Sequence, residues 1–267
     1  ANMQPDRDKF PEWRPELADD MRRETKAFVH EGVWRQNRPM SELLNARVTF
    51  VSPRLAKHYG LPPDAADIAN SDGELVRFDL SKTKARGGIL TQGSLLTVGG
   101  DEASMVTRGL LVMHELLRGV VKDPPACVDT TPVPTKPGLS QRAIAEARIA
   151  NVTCGGCHGR FEPLAFGLEK FDGLGGYHER DEHGNSLRDD GEIVFPGDAD
   201  TVHYRSSREL MDLMAGSQRV KESITWKLAQ FALGRPLTAA DAGDIQEIHR
   251  RAQQDGGTYQ ATMSAIV

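Results

Sequence analysis

Five consecutive residues constrain this chain more than any other feature: Cys154-Gly155-Gly156-Cys157-His158. Residues three apart lie on the same face of a helical turn, so a helix here would present both thiols to one side. The spacing Cys-x-x-Cys-His is the attachment signature of a c-type haem, in which two sulfurs bond the two vinyl groups of the porphyrin. His158 then follows directly as the expected proximal ligand of the iron. The sequence therefore predicts one covalent haem c, held by Cys154, Cys157 and His158.

Other roles of a Cys-x-x-Cys pair fit this sequence less well. A structural zinc site needs a second pair of ligands at suitable spacing, and none follows the motif. A thioredoxin-like redox pair follows a strand that opens a βαβ unit, whereas these cysteines follow an alanine-rich helical segment. Cys127 is the third cysteine of the chain and is left without an internal partner. We expect Cys127 to be a free thiol or to form a bridge to another subunit.

Composition and charge argue against several classes of partner. Of the 267 residues, 39% are hydrophobic and 27% are charged, which is typical of a soluble globular protein. The formal net charge of −5 argues against nucleic acid and against anionic membranes as partners. No apolar run approaches the roughly 18 residues of a membrane span, so we predict no transmembrane segment. Because c-type haem is attached outside the cytoplasm, we expect a periplasmic or otherwise exported protein whose signal was cleaved or lies in a missing upstream region.

A proline-rich stretch suggests how the chain is divided. Five prolines lie between Asp123 and Gly138, which indicates an extended, semi-rigid linker. We therefore predict a mainly helical N-terminal module over residues 1–137 and a c-type cytochrome domain over residues 138–267. The expected fold class is mainly α: a cytochrome c-like helical haem domain with small β-hairpin insertions, preceded by the helical N-terminal module.

Local start and stop signals predict the elements of this fold. An amphipathic pattern predicts a first helix from Pro15 to about residue 32. Serines placed to cap helix N-termini predict further helices beginning at Ser41, Ser52, Ser104 and Ser140. The alternating residues 74–80 predict a strand. Residues 177–196 are rich in turn residues; their acidic side chains also suit calcium, but the EF-hand spacing is absent, so we favour hairpin turns.

The C-terminal part of the chain contains the most apolar predicted helix. The apolar side chains of residues 220–233 surround most of its circumference, and Gly234 would end it. Such a helix is expected to be buried, and we predict that it packs on the helix that leads to Cys154. Thr238 and Asp241 resemble a capping box, which predicts one further amphipathic helix.

The residues around the motif resemble a known family. From Cys154 the chain reads C-G-G-C-H-G-R-F-E-P-L-A-F-G-L-E-K-F-D-G-L-G. This resembles the C-terminal cytochrome region of the large planctomycete-type cytochrome c proteins, which also occur in proteobacteria. Their pattern is C-x-x-C-H, then an acidic residue and Pro, then F-x-x-E-x-F-D-x-x-G. Glu162 stands where Asp is usual, and Phe161 stands where Met or Ile is common. Residues 232–235, Ala-Leu-Gly-Arg, match the closing helix of the family.

The resemblance extends upstream and implies a setting for the protein. Residues 86–92 with Arg108-Gly109, and residues 50–60, resemble the two modules that precede this region, so it covers roughly residues 20–255. These modules were largely named as domains of unknown function. Members are exported and haem-bearing, and are often attached to larger redox or polysaccharide-processing systems. The resemblance therefore implies redox partner proteins or other subunits of a complex.

Motif and resemblance together predict a periplasmic monohaem c-type cytochrome that relays single electrons within a larger redox assembly. The alternative is a haem enzyme, peroxidase- or oxygenase-like, with an open distal site. A third interpretation is a scaffold subunit whose haem is chiefly structural. No nucleophile motif, phosphate loop or second metal signature in the sequence indicates another chemistry.

Two features of the haem surroundings are predicted from the residues near the motif. The second ring nitrogen of His158 needs an acceptor to fix its tautomer, and we expect a backbone carbonyl near Pro163. An apolar wall is also expected along the porphyrin, although ordinary core packing explains the same side chains equally well. The candidates are Phe166, Phe171, Trp226 and Phe231.

The sixth ligand of the iron decides what a haem does. Met or His in that position gives electron transfer, whereas an open position allows ligand binding and catalysis. His58 is one candidate ligand because it lies in a segment that resembles the family, although a helix C-terminus also favours a histidine there. Met211 and Met214 are the other candidates, and they also fit a plain apolar stripe. The sequence leaves three alternatives: His58, one of the methionines, or an open position.

Overall fold

The chain is mainly helical, with two small antiparallel hairpins, as the sequence predicts. The computed structural model describes residues 4–62, 71–83, 85–126 and 128–267. Cys127 lies outside these residues, so its state remains a prediction. Within the described ranges, no helix has both the length and the apolar character that crossing a membrane requires.

The N-terminal part combines a long helix with a hairpin and short turns. Its elements in order are α1 (Pro15–Val29), a π-helical turn (His30–Arg35), a 3-10 turn (Met40–Leu44), β1 (Val48–Val51), α2 (Pro53–His58) and β2 (Val76–Asp79). Strands β1 and β2 pair antiparallel, with Val48 opposite Asp79. This confirms the predicted strand, whereas its partner β1 was not predicted.

Short helices connect this part to the Cys-x-x-Cys-His motif. They are a 3-10 turn (Ile89–Thr91), α3 (Gly93–Leu96), a 3-10 turn (Thr97–Gly99), α4 (Met105–Leu111) and a π-helical turn (Val112–Leu116). After the proline-rich segment come α5 (Gln141–Ala150), α6 (Gly155–His158), a 3-10 turn (Glu162–Leu168), β3 (Gly191–Ile193) and β4 (Val202–Tyr204). Strands β3 and β4 form the second hairpin, in which Gly191 lies opposite Tyr204.

Four further helices complete the chain. They are α7 (Ser207–Gly216), α8 (Gln218–Leu233), α9 (Ala242–Gln254), which follows a 3-10 turn (Ala239–Asp241), and α10 (Tyr259–Ile266).

Side-chain caps define several helix starts as predicted. The hydroxyl of Ser52 accepts the backbone N–H of Leu55 at 3.1 Å, and that of Ser140 accepts from Ala143 at 3.2 Å. Each bond satisfies one amide that the first turn of a helix leaves without an intrahelical partner. Gly234 ends α8 in a left-handed conformation, with φ at 64°. These local rules act within a few residues, which explains why the sequence alone predicts them.

The packing of α8 corrects the sequence-based expectation. This helix packs against α7, α9, α10 and the turns Met40–Leu44 and Val112–Leu116, rather than chiefly against α5. Its buried face includes the small side chains Ser223, Thr225 and Ala229, and the Thr225 hydroxyl lies 2.8 Å from Nδ1 of His249 on α9. Phe231 is instead 77% exposed. The predicted complete burial of α8 is therefore wrong at its C-terminal end.

One large hydrophobic core joins the two halves of the sequence. It includes Leu96 and Met113 from before the proline-rich segment, and Phe161 and Met214 from after it. A second cluster lies between α1, α2 and the first hairpin, and Leu174 reaches it from the second half of the chain. Residues from both sides of the predicted boundary at residue 137 are therefore buried together.

A buried arginine fastens α4 to the segment that follows the motif. Arg108 is 1% exposed, and its guanidinium donates to backbone carbonyls on both sides of it. The acceptors are Leu96 at 3.1 Å, Leu168 at 3.1 Å, Phe171 at 2.7 Å and Asp172 at 2.6 Å. Burial lowers the pKa of this guanidinium to about 10, while the nearby Asp172 opposes that shift. Arg108 therefore remains charged at neutral pH.

A glycine beside this arginine allows α4 to touch the chain just after the motif. A Cβ placed on Gly109 would lie 2.3 Å from the carbonyl oxygen of Phe161 and 3.2 Å from the Cα of Glu162. We expect Gly109→Ala to destabilise the protein by about 1–3 kcal/mol, because the backbone must separate to admit the methyl group. Urea unfolding measures this loss.

A glycine in open space provides the control for that substitution. Gly243 lies in α9, and a Cβ there would meet nothing within 4 Å. Gly243→Ala should be neutral or stabilising by up to ~1 kcal/mol, since alanine favours helix. Equal effects of the two substitutions would contradict the close contact at Gly109.

Candidate functional site

The motif forms one tight helical turn directly after α5. Cys154 is the N-cap of α6 and already has right-handed helical dihedral angles, with φ at −92° and ψ at −31°. The oxygen of the Asn151 side chain accepts the backbone N–H groups of Thr153 and Cys154, which starts this turn. Both cysteines therefore belong to one helical turn, as the sequence predicts.

The first glycine of the motif has a structural reason of its own. A Cβ on Gly155 would lie 2.1 Å from the carbonyl oxygen of Ile149. Only glycine allows the motif to fold back so closely on the end of α5. Gly156, in contrast, has nothing within 4 Å of such a Cβ.

The two thiols are free and reachable from solvent. Cys154 is half-buried and Cys157 is exposed, and neither forms a disulfide. The neighbouring Val152 is fully exposed, which is unusual for an apolar side chain of this size. The motif thus presents two accessible thiols with an uncovered apolar residue beside them.

A carboxylate fixes the His158 ring, which corrects the acceptor predicted from the sequence. Nδ1 of His158 lies 2.5 Å from Oε1 of Glu162, one helical turn further along the chain. The carbonyl of Pro163, the acceptor expected from the sequence, instead accepts from the Tyr204 hydroxyl at 3.3 Å. Because a carboxylate accepts hydrogen bonds, Nδ1 carries the proton of this bond, and the lone pair of the neutral ring is then on Nε2.

The carboxylate is itself held by a second side chain. Glu162 is completely buried, and the guanidinium of Arg148 donates to both of its oxygens, at 2.8 Å and 3.1 Å. Such two-pronged pairing fixes the plane of the carboxylate as well as its charge. The ring of Phe161 lies 5.1 Å from that of His158 and further restricts it.

Neither Glu162 nor Arg148 was assigned a role from the sequence. Glu162 stands four residues after His158, a spacing at which side chains meet on a helical surface, so this contact had a detectable signal. Arg148 lies ten positions before His158, on α5. Nothing in the sequence pairs that arginine with the motif.

The residues of this turn fit a covalently attached haem. Two free thiols at the required spacing are the groups that form thioether bonds to vinyl carbons. Among the described residues, none hydrogen-bonds Nε2 of His158, so its lone pair is free to bind iron. Fixing the ring through the other nitrogen is the usual arrangement for a metal-binding histidine.

His58, a candidate distal ligand, differs from His158 because its Nε2 is engaged in a hydrogen bond. His58 is half-buried at the end of α2, and its Nε2 lies 3.0 Å from the carbonyl oxygen of Leu174. Binding iron through Nε2 would require that hydrogen bond to break. The role of His58 as a metal ligand stays a prediction.

The two candidate methionines lie in the main hydrophobic core. Met211 and Met214 are completely buried on α7, within the cluster that also contains Phe171 and Leu210. This burial agrees with the apolar stripe that the sequence offered as their alternative explanation. Their role as iron ligands also stays a prediction.

The four aromatic residues predicted along the haem have different environments. Phe166 and Phe171 are buried, and Phe166 lies under the guanidinium of Arg142, which is 4.5 Å from the ring centroid. Trp226 is half-buried, with a guanidinium 4.0 Å above its ring. Only Phe231 is largely exposed, so it alone of the four offers an uncovered apolar face.

The acidic turns after the motif bind their own backbone. Asp181 accepts the backbone N–H groups of His183 and Asn185, and Gly184 between them has φ at 80°. This is the turn chemistry favoured from the sequence. Within the part of the chain that the structure describes, no group of three or more His, Cys, Asp or Glu side chains is arranged to hold a metal ion.

Three family profiles match consecutive parts of the chain, and each is described as a protein of unknown function. They are DUF1592 over residues 1–61, DUF1588 over residues 86–181 and DUF1585 over residues 202–267. All three are modules of the planctomycete-type cytochrome c proteins, which confirms the resemblance at the level of modules. The three descriptions name no haem-binding family. None of the curated proteins and none of the solved structures matches the chain significantly.

The middle match includes the residues that build the site. Residues 86–181 contain Arg108, Gly109, Arg148, the motif and Glu162. They also contain the proline-rich segment and the boundary predicted at residue 137. One matched module therefore includes both the candidate site and the residues of α4 that contact the segment after it.

Proposed function

We propose that this chain is an exported monohaem c-type cytochrome that relays single electrons within a larger redox assembly. One observation carries the proposal. Two free thiols and a histidine with a free Nε2 lie on a single helical turn, and the other ring nitrogen is held by a buried carboxylate. This arrangement matches what covalent attachment and axial ligation of haem require.

The residues of the chain would divide the work between them. Cys154 and Cys157 would hold the porphyrin, and His158 would bind the iron. When bound, the haem supplies a centre that gains and loses one electron. The Glu162–Arg148 pair would keep the His158 ring in one orientation, so that little rearrangement accompanies the change of charge.

The partner and the compartment follow from the same chemistry. A monohaem carrier needs a donor and an acceptor, so redox partner proteins or further subunits of a complex belong to this proposal. Attachment of c-type haem outside the cytoplasm supports a periplasmic or otherwise exported location. The acidic net charge of −5 supports partners other than nucleic acid.

A haem enzyme with an open distal site is the second candidate. It is favoured by the environments of the three side chains predicted as distal ligands: Nε2 of His58 is engaged by a carbonyl, and Met211 and Met214 are buried in the core. Oxidised and reduced spectra with and without carbon monoxide distinguish the two candidates. Rapid carbon monoxide binding by the reduced protein would favour the enzyme.

The first test of the proposal is covalent attachment. We expect the exported protein, after acid denaturation, to have the intact mass of the polypeptide plus one haem, because thioether bonds survive the loss of iron ligation. Cys154→Ala and Cys157→Ala should each leave one thioether or little haem-loaded protein. Cys127→Ala is the matched control and should keep the full haem content. A mass equal to the bare polypeptide would overturn the proposed function.

A further inference from the structure

The Glu162 carboxylate contacts both His158, the proposed proximal ligand, and the guanidinium of Arg148. Glu162 is completely buried, and its Oε1 lies 2.5 Å from Nδ1 of His158. The same oxygen accepts from Nε of Arg148 at 2.8 Å, so ring and guanidinium share one acceptor. The hydrogen bond from Arg148 therefore competes with the hydrogen bond from His158 for the same oxygen of Glu162.

We propose that Glu162 is a positioning residue that lowers the reduction potential of the haem, and that Arg148 limits this effect. The inference rests on the proposed function, because it concerns a haem bound through His158. Sharing the Nδ1 proton with a carboxylate makes the imidazole a stronger electron donor, and this stabilises ferric over ferrous iron. Arg148 donates to the same carboxylate and reduces its pull on the proton.

The two residues therefore have opposite effects on the oxidation equilibrium. Removing the carboxylate weakens electron donation by His158, so the potential rises. Removing the guanidinium leaves Oε1 to His158 alone, so the potential falls. A general loosening of the site would not produce opposite signs at two residues that touch each other.

The experiment is redox titration of haem-loaded protein, with haem content verified by intact mass. At a fixed ambient potential, Glu162→Gln should lower the ratio of oxidised to reduced protein by about tenfold, equal to ~59 mV for one electron. Arg148→Gln should raise that ratio by about threefold, because the carboxylate then serves one donor. Glu162→Asp keeps the carboxylate and should shift the ratio less than Glu162→Gln does.

A neighbouring carboxylate controls for the loss of a solvent-screened charge near the motif. Glu146 also lies on α5 and pairs with the guanidinium of Arg142 at 2.9 Å, but it is half-exposed and does not touch His158. Glu146→Gln should change the ratio by less than about twofold, because solvent screens an exposed charge. If Glu146→Gln and Glu162→Gln shift the ratio equally, the effect is one of charge and the inference is overturned.

The outcomes separate this inference from the proposed function. Protein without covalent haem overturns the proposed function. Haem-loaded Glu162→Gln with an unchanged potential overturns only the role of Glu162. If Glu162→Gln does not fold, Arg148→Gln decides the matter, since a raised or unchanged potential in that variant also overturns the inference.

Discussion

Replacing Arg108 by methionine is expected to remove about 3–5 kcal/mol from the free energy of unfolding, because four backbone carbonyls lose a buried charged donor. Methionine fills much of the same space, so the loss reflects hydrogen bonding more than a cavity. Leu96, Leu168 and Phe171 contribute carbonyls that are buried with Arg108.

Arg108→Lys should also lose much of this stability. A lysine carries the charge but has a single nitrogen, which cannot replace the two guanidinium nitrogens that donate to separate carbonyls here. The matched control is Arg250→Met on α9, where the guanidinium is exposed and pairs with Glu247. That substitution should cost less than about 1 kcal/mol. Urea unfolding of the three variants measures the losses, and equal costs at positions 108 and 250 would contradict the role of Arg108.

Arg108 also matters for the site because of where its acceptors lie. Leu168 ends the 3-10 turn that begins at Glu162, and Phe171 and Asp172 follow that turn. Gly109 touches Phe161 and Glu162 directly. The orientation of the carboxylate on His158 thus depends on contacts from α4, about fifty residues earlier in the sequence. Both segments lie within the matched residues 86–181.

The parts of the fold that the sequence predicts are those defined by local chemistry. Ser52 and Ser140 cap helices as expected, and Thr238 with Asp241 forms the predicted capping box. The strand near Val76 was predicted from alternation, but its partner Val48–Val51 was not. The segment Val-Thr-Phe-Val has three apolar residues in four and does not alternate, and a short apolar run cannot be told from a buried helical segment by periodicity.

The failures of prediction involve contacts between distant residues. The apolar pattern of α8 predicted a fully buried helix, but its fully buried residues are Val220, Ser223, Thr225 and Ala229, while Phe231 is exposed. A pattern indicates that apolar side chains are present and does not say which of them a partner covers.

In the candidate site as well, local features were predicted and contacts between distant residues were not. The turn that presents Cys154 and His158 was predicted from spacing, whereas the acceptor of His158 was predicted wrongly as a backbone carbonyl. The hydroxyl of Tyr204, from the second hairpin, donates a hydrogen bond to the Pro163 carbonyl. The Glu162 carboxylate reaches the ring instead, and Arg148 fixes it from α5. No local rule predicts which of several acceptors near a histidine is free.

A buried acid in the N-terminal cluster makes stability depend on pH. Glu24 lies on α1 and is completely buried. Its oxygens accept hydrogen bonds from the hydroxyls of Thr49 and Tyr59, and the latter bond is 2.6 Å long. Burial raises the pKa of Glu24 to about 7, and the two hydroxyls and the nearby Arg86 only partly oppose that shift.

The direction of the pH effect follows because the folded state binds the proton of Glu24 more tightly than the unfolded state does. Unfolded, Glu24 titrates near its ordinary pKa of 4.5, whereas in the folded protein it holds its proton up to a pH of about 7. Between these values the folded state binds more protons, so the contribution of Glu24 to stability falls as pH rises. The total change is about 3 kcal/mol, since one pKa unit corresponds to ~1.4 kcal/mol.

Glu24→Gln should remove this dependence, because the amide resembles the protonated acid at every pH. We expect the variant and the natural protein to have similar stability near pH 4.5, and the variant to be more stable by about 3 kcal/mol above pH 7. Comparing the two urea unfolding curves across this range cancels the contributions of all other titrating groups. Glu16→Gln, at an exposed position of the same helix, should give no such divergence. A constant difference between the natural protein and Glu24→Gln from pH 4.5 to pH 7 would show that Glu24 is ionised throughout, with its charge balanced by Arg86 and the two hydroxyls.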